Sequence, residues 1–243
     1  MKLLIIRHGD PDYAIDSLTP TGWEEAGLLA EKLSKERIDE FFVSPLGRAK
    51  DTASLTLKKF GKEAVVCDWL QEFPAKIWRP DNQEILKNAW DWLPQDYAQF
   101  PELFDRNAWK EVPCLKEGRV GEIYDEVCRQ FDLLLAAHGY ERKGMIYRAV
   151  KPNDQVLAFF CHFGLECVLL SHLMNTSPYP LWQNFCAAPS SVTTVLTEER
   201  REGIACFRAS SLGDVSHLYA GGRNPSFSAR FCEMYTNEND RHD

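Results

Sequence analysis

Short apolar runs alternate with amphipathic stretches along this chain. The run Leu3-Leu4-Ile5-Ile6 is bounded by polar and turn residues, as a buried strand is. A charged turn ending in Gly203 lies between two later runs and predicts a terminal hairpin. The runs after the first are Phe41-Phe42-Val43, Ala64-Val65-Val66-Cys67, Val156-Leu157-Ala158-Phe159-Phe160, 192–196 and 204–207.

The stretches between these strands have helical periodicity. Thr19 is a good N-cap and Pro20 suits the first helical position, and an apolar stripe follows at helical spacing over 26–33. By the same reasoning, Ser44 and Pro45 begin the next helix, and another helix follows the strand at 156–160. The alternation predicts an α/β fold, a three-layer α/β/α sandwich with a mostly parallel central sheet.

The segment at about 73–150 interrupts this alternation. We expect a single domain over 1–243 with an inserted, largely helical cap or lid subdomain at 73–150, whose clearest helix has Ile123, Val127 and Phe131 on one face. Its aromatic residues either pack onto the main domain or select the part of the substrate that carries no phosphate. Trp78 and Trp109 are our candidates for the second role.

Composition and charge narrow the function. The chain has 243 residues, 44% of them hydrophobic, which is enough for a core, and its net charge of −8 argues against nucleic acid or an anionic membrane as partner. It has no apolar stretch near the ~18 residues that span a bilayer, and Met1-Lys2-Leu3 leads directly into the first strand. We therefore expect a cytoplasmic protein, and the sequence leaves its oligomeric state undetermined.

Polar side chains follow three of the predicted strands. Arg7-His8-Gly9 comes after the first, Arg48 shortly after the second, and His162 after the strand at 156–160. The carboxyl ends of parallel strands are where open α/β sheets bind ligands. Phosphoryl transfer to an imidazole needs fixed cations around the phosphoryl oxygens, and arginine forks suit that task. This pattern therefore favours phosphoryl chemistry.

These segments resemble the histidine phosphatase superfamily, which includes the cofactor-dependent phosphoglycerate mutases. The motifs occur in the family's order within roughly the first 72 residues and again from about 155 to 218. They are "RHG", "LTPTGWEEA", "SPLGRAKDTA", the Glu of "LQEF" and "CHFG".

The resemblance implies roles for five residues. His8 is the nucleophile that forms a phosphohistidine, Arg7 and Arg48 hold the phosphoryl group, and His162 donates to its oxygens. Glu72 stands where the family often places its general acid, and burial would raise its pKa enough to keep it protonated. Asp10 and Asp12 remain competing candidates for that role.

Two departures from the family's pattern bear on substrate and reaction. Phe163 stands where the family usually has Gly, and the loop after "RHG" contains Tyr13; we expect both side chains to bind substrate. That loop lacks the Thr and Asn of the mutases, which favours hydrolysis of a small-molecule phosphate ester. A mutase activity and a non-catalytic phosphate-binding regulatory module remain the alternatives.

No motif indicates a cofactor. The chain has no "HExxH", no paired cysteines and no calcium-binding acidic loop, so we expect neither a metal nor another cofactor. His138 and His172 lie on or beside apolar helical faces and are expected to pack or to end helices. His217, in "GDVSHL", resembles a C-terminal family segment near the pocket and is a weaker candidate for the site.

Overall fold

The computed structural model describes residues 1–226, 228 and 233–239. Its strands are β1 (Lys2–Arg7), β2 (Pro11–Asp12), β3 (Ser17–Leu18), β4 (Glu40–Val43), β5 (Val65–Val66), β6 (Lys76–Arg79), β7 (Asn82–Asn88), β8 (Tyr140–Lys143), β9 (Ile146–Ala149), β10 (Val156–Cys161), β11 (Val192–Arg201) and β12 (Ile204–Asp214). Its α-helices are α1 (Pro20–Leu33), α2 (Gly47–Phe60), α3 (Pro94–Tyr97), α4 (Pro113–Glu117), α5 (Val120–Ala137), α6 (Phe163–Met174), α7 (Tyr179–Asn184) and α8 (Ser216–Ala220). Three 3₁₀ turns lie at Asp68–Leu70, Pro101–Phe104 and Ala108–Glu111.

The central sheet is mixed, so the prediction of a mostly parallel sheet is wrong. Its eight strands run in the order β5-β4-β10-β1-β11-β12-β9-β8. The strands from β5 to β1 pair in parallel, and those from β1 to β8 pair antiparallel. The strand–helix alternation that implied parallel pairing ends at α6, and the hairpins β8–β9 and β11–β12 can only add antiparallel strands.

Helices cover both faces of this sheet, as predicted for an α/β/α arrangement. On one face, Leu4 and Ile6 of β1 pack with Leu29 of α1 and Ala53 of α2. On the other, the alternate positions of β1 pack with α5 and α6 through Phe131, Leu165 and Leu169, among others. Since successive strand residues point to opposite faces, the continuous apolar run of β1 reflects burial on both sides.

Helix α1 begins as the sequence predicted, and α2 does not. The Thr19 side chain accepts a hydrogen bond from the Gly22 N–H, with Pro20 in the first turn. Helix α2 begins later than expected, with Leu46 at its N-cap. Ser44 instead lies directly after β4, and its hydroxyl contacts His162, the residue that follows β10.

The segment 73–150 is less helical than predicted. It contains the hairpin β6–β7 and ends in the hairpin β8–β9, whose second strand pairs with β12 in the central sheet. Its long helix, α5, packs against α6 and β8. The hairpin β6–β7 was missed because its alternating polar positions occur in a part of the chain divided by prolines. The role of this segment as a lid stays a prediction.

None of the helices in the described part of the chain combines the length and apolar character needed to span a bilayer. The seven cysteines in that part are free thiols, and Cys161 and Cys167 are buried.

Candidate active site

The ends of β1 and β10 bring two histidines together. These strands are parallel neighbours with Arg7 opposite Cys161, so the next residues, His8 and His162, leave the same edge of the sheet. The His8 N–H donates to the Cys161 carbonyl at 3.0 Å. The imidazole centroids lie 5.1 Å apart with an interplanar angle of 56°.

His8 is held in the form that a nucleophile needs. Its Nδ1 lies 2.7 Å from the Gly9 carbonyl oxygen. Because a carbonyl can only accept, Nδ1 carries the proton and Nε2 keeps its lone pair. Burial, followed by the charges of Arg7 and Arg48, lowers the pKa of His8 well below its ordinary value. The ring is therefore neutral at physiological pH.

His162 has the opposite arrangement of ring nitrogens. Its Nε2 lies 2.7 Å from the Ser44 hydroxyl, whose oxygen also accepts from the Leu46 N–H. The Ser44 proton is thus left for Nε2, which puts the ring proton on Nδ1. That atom is buried and has no hydrogen-bond partner among the described residues, so it can donate to a bound oxyanion. Burial and the neighbouring His8 lower the pKa of His162.

The two arginines are positioned by different elements. Arg7, at the end of β1, is buried and donates to the Ala187 carbonyl. Arg48 lies in the first turn of α2 and donates to Asp16 at 2.5 Å. Thr52 links α2 to the loop after β1, because its hydroxyl accepts from the Gly9 N–H at 2.9 Å and donates to the Arg48 carbonyl at 2.7 Å.

Glu72 contacts the first turn of α6. Its Oε1 accepts from the Phe73 N–H at 2.8 Å and from the Leu165 N–H at 3.1 Å. Burial raises the pKa of Glu72, although backbone hydrogen bonds from Phe73 and Gly164 and the charges of Arg7 and Arg48 oppose the effect. With Oε1 occupied by two donors, Oε2 is the atom left to carry a transferable proton.

The competing acids are engaged elsewhere. Asp10 accepts from the Thr19 hydroxyl at 2.6 Å, and Asp12 accepts from the Ala14 N–H at 3.0 Å. Both bonds stabilise the small hairpin β2–β3 and its junction with α1. This arrangement favours Glu72 as the acid of the site.

The predicted substrate-binding rings lie beside the arginines. Tyr13 is 67% exposed, and its ring centre lies 5.4 Å from the Arg48 guanidinium carbon. Phe163 is only 3% exposed, and its ring centre lies 5.8 Å from the Arg7 guanidinium carbon. The Tyr13 ring therefore lies at the protein surface, whereas the Phe163 ring is buried beside Arg7.

The other candidates from the sequence lie farther from the reacting groups. His217 contacts the Ser190 hydroxyl at 2.9 Å, and the Ser190 N–H donates to the His8 carbonyl at 3.0 Å. His217 thus supports the backbone of His8 indirectly, and burial lowers its own pKa to about 4. His138 and His172 lie at helix ends, as predicted, and contact Glu40 and Asp132.

Sequence reasoning missed a second buried carboxyl. Glu166, in the first turn of α6, accepts from the Thr193 hydroxyl, and burial raises its pKa to about 7 while the charge of Arg7 opposes the rise. The sequence does indicate this residue, because a charged side chain within an otherwise apolar helix must be buried, and a buried polar group needs a hydrogen-bond partner. Ser44 and Thr52 were also missed, because Ser44 was predicted only to begin a helix and Thr52 was given no role of its own.

The tryptophans of the segment 73–150 divide into two groups. Trp92 and Trp109 are buried in the core, so the expectation that Trp109 contacts substrate is wrong. Trp78 is 39% exposed. Trp90 is partly buried and packs edge-on against Phe163, with ring centres 6.0 Å apart.

Comparison with known proteins places this geometry in context. Residues 3–209 match the family model of the histidine phosphatase superfamily (branch 1). The chain is 23% identical over 215 residues to phosphoserine phosphatase 1 of Hydrogenobacter thermophilus, covering 84% of this chain and 90% of that protein.

Solved structures share the fold. A phosphoserine phosphatase mutant of Entamoeba histolytica in complex with phosphoserine has a TM-score of 0.56 at 19% identity, covering 89% of this chain and 98% of that one. A mycobacterial glucosyl-3-phosphoglycerate phosphatase with inorganic phosphate has a TM-score of 0.58 at 18% identity, covering 89% of this chain and 99% of that one.

Proposed function

We propose that this chain, which belongs to the histidine phosphatase superfamily, is a metal-independent phosphomonoesterase that hydrolyses a small phosphorylated metabolite through a phosphohistidine. The relatives it resembles include phosphatases of such metabolites. The observation that carries the proposal is the pairing of a neutral, buried His8 with His162, 5.1 Å away between ring centres, beside Arg7 and Arg48.

Substrate binding uses the cations and the His162 proton. The phosphoryl group spreads negative charge over its three outer oxygens during transfer, so donors must lie around it before the reaction. Arg7 and Arg48 supply permanent charge, and His162 Nδ1–H supplies a neutral donor. The Arg7 bond to Ala187 fixes one guanidinium, and the Arg48 bond to Asp16 fixes the other.

In the first step, His8 Nε2 attacks phosphorus and forms an N–P bond while the P–O ester bond breaks. Glu72 transfers its proton to the departing oxygen, so the product leaves as an alcohol. In the second step, a water attacks phosphorus, gives its proton to the Glu72 carboxylate and breaks the N–P bond. His8 returns to its neutral form and inorganic phosphate is released.

Brief incubation with substrate, followed by quenching, tests the phosphohistidine. We expect a phosphate label on the peptide that contains His8, and the label should be lost in acid and stable in base. His8→Ala should lose the label and turnover. His172→Ala is the matched control, because His172 pairs with Asp132 outside the site.

The same assay separates the alternatives. Transfer of phosphate to a second position of the substrate, without release, would indicate a mutase. Substrate binding without labelling or turnover would indicate a phosphate-binding module. Near wild-type turnover in His8→Ala would contradict the mechanism.

A further inference from the structure

One residue of the segment 73–150 lies directly beside the proposed proton donor. A methyl group placed on Gly164 would be 2.7 Å from Glu72 Oε1 and 2.9 Å from Trp90 Nε1. The carboxyl and the indole therefore converge on the same glycine, in the first turn of α6. Trp182 also contacts Gly164, but through the backbone, because its Nε1 donates to the Gly164 carbonyl at 2.9 Å.

Trp90 is held in place by its own backbone and by the preceding residue. Its carbonyl accepts from the Gln183 amide at 2.8 Å. The Ala89 carbonyl accepts from the Tyr179 hydroxyl and the Trp92 indole, both at 2.9 Å. The bonds from Gln183 and Tyr179 attach the backbone of residues 89–90 to α7, so a ligand that packs on Trp90 meets a backbone that is already ordered, which limits the entropy lost on binding.

The surface beside Glu72 is aromatic. Trp90 packs edge-on against Phe163, and Phe163 in turn lies against the Arg7 guanidinium. Trp90 remains partly exposed. The leaving oxygen must come within hydrogen-bond reach of Glu72 to receive its proton, so the first carbons of the alcohol lie close to this ring.

In the proposed mechanism, the two arginines near the site bind the phosphoryl group. Arg7 and Arg48 are the cations whose charge lowers the pKa of both His8 and His162 among the described residues. Both are needed for the phosphoryl oxygens. A carboxylate beside the ester oxygen would lie next to Glu72 and would compete with the phosphoryl oxygens for these two cations.

We propose that Trp90 forms the leaving-group wall and that the site prefers phosphate monoesters whose alcohol is uncharged and carries a flat apolar group near the ester oxygen. This inference rests on the proposed function, because it takes Glu72 as the donor to the leaving oxygen. Trp90 acts here on specificity and takes no part in bond making or breaking.

Three alkyl phosphates test the proposal: benzyl phosphate, propyl phosphate and phosphoglycolate. Benzyl and propyl alcohol are similarly basic, so the ring is what distinguishes their esters, and phosphoglycolate adds a carboxylate. Wild-type kcat/KM should be about three- to tenfold higher for benzyl than for propyl phosphate, the range expected for one aromatic contact. Phosphoglycolate should be the poorest of the three.

Substitution of Trp90 should remove the discrimination. Trp90→Ala should bring benzyl phosphate down to the level of propyl phosphate, and Trp90→Phe should retain most of the preference. Trp23→Ala is the matched control, since Trp23 is an exposed tryptophan of α1, outside the segment 73–150, and it should leave the ratio unchanged.

The outcomes separate this inference from the proposed function. Equal loss on benzyl and propyl phosphate in Trp90→Ala, or a wild-type preference for phosphoglycolate, would overturn the inference while His8 labelling still supported the mechanism. Absence of both labelling and hydrolysis in the wild type would overturn the proposed function and the inference with it.

Discussion

At the scale of single residues, Arg7 is a buried cation whose charge acts on two buried carboxyls. It lowers the pKa of both Glu72 and Glu166 against the larger opposing effect of burial. A buried guanidinium is costly unless charged or polar groups surround it. Glu166 accepts from the Thr193 hydroxyl, whereas Glu72 accepts from backbone N–H groups and is the carboxyl that the proposed mechanism uses as proton donor.

Replacement of Glu72 by Gln tests its role as the acid. The leaving group of an alkyl phosphate is a basic alkoxide, which needs a proton to depart. Turnover of an alkyl phosphate should therefore fall roughly 10²- to 10⁴-fold. An aryl phosphate should be much less affected, because its phenolate leaves readily, until breakdown of the phosphohistidine becomes limiting. Steady-state rates on both substrates provide the comparison.

The pH profile gives a second readout of the same variant. Burial raises the pKa of Glu72, so the wild type should lose alkyl-phosphate activity on the alkaline side as this group ionises. That limb should flatten in Glu72→Gln. Parallel, modest losses on both substrates would instead direct attention to Asp10 and Asp12.

Glu166 should make stability depend on pH. Its pKa is about 7 in the fold against an ordinary value of 4.5, so between these values the folded state holds a proton that the unfolded state has lost. The free energy of unfolding should therefore fall as pH rises from 4.5 through 7. The shift corresponds to about 3 kcal/mol, since one pKa unit is about 1.4 kcal/mol.

Urea unfolding at pH 5 and pH 8 measures this effect. The stability lost between the two pH values should be smaller in Glu166→Gln than in the wild type, by up to about 3 kcal/mol. Glu63→Gln, at an exposed position, is the control and should behave as the wild type. An unchanged difference in Glu166→Gln would show that this carboxyl does not titrate between the two pH values.

At the scale of elements, the first turn of α6 assembles the site. His162 is its N-cap residue, Leu165 donates to Glu72, and Gly164 leaves the space into which Glu72 and Trp90 converge. Free N–H groups at a helix N-terminus bind negative charge, so this turn is suited to a carboxyl and a phosphoryl group. In the proposed mechanism, this one turn therefore positions the proton donor Glu72 and also contributes to phosphoryl binding.

Gly164→Ala should disturb that turn. The new methyl group would lie under 3 Å from Glu72 Oε1 and Trp90 Nε1, so one or both must shift. A displacement of this size near the reacting groups costs on the order of 10²-fold in rate. We expect a loss of that order in kcat/KM on alkyl phosphates, with the fold retained.

Gly27→Ala is the matched control within a helix. Nothing lies within 4 Å of a methyl group at that position of α1. The substitution should leave kcat/KM unchanged and raise stability by up to about 1 kcal/mol, the helix preference of Ala over Gly. Equal activity in both variants would show that the site tolerates the displacement.

The sequence predicted the elements that alternate regularly and missed those that depend on distant partners. Thr19 and Pro20 determine the start of α1 locally, so the prediction held. Ser44 has the same local signal, yet its hydroxyl bonds to His162 and the helix begins later. The strands β8 and β9 were missed because only pairing with β12 distinguishes them from a loop.

The sequence predicted those residues of the candidate site that end a strand or directly follow one. His8, Arg7 and His162 follow apolar runs, and parallel pairing brings them to one edge. Trp90 could not be predicted in this way, because its position depends on how the segment 73–150, which has no repeating pattern, packs against α6.

At the scale of the whole molecule, an acidic protein contains a cationic site. The net charge is −8, yet Arg7 and Arg48 are concentrated where His8 and His162 meet. In the proposed mechanism, these fixed charges take the place of the divalent ion that other phosphatases use.

Activity should therefore survive exhaustive chelation. We expect unchanged kcat/KM after treatment with EDTA and desalting. Arg48→Ala should cost on the order of 3 kcal/mol of transition-state stabilisation under the same conditions. Loss of activity on chelation that one divalent ion restores would remove the metal-independent mechanism.

The position of β1 in the sheet has a consequence for how the molecule folds. This strand precedes all the other strands of the sheet along the chain, yet it lies between β10 and β11, and Lys2 pairs with Val156 on one side and Leu196 on the other. During synthesis, its apolar residues have neither neighbour until most of the chain has emerged. Contacts so distant in sequence form slowly, since a long loop must close first. His8 and His162 meet only when that closure occurs, so on refolding, enzymatic activity should return after the helices have formed.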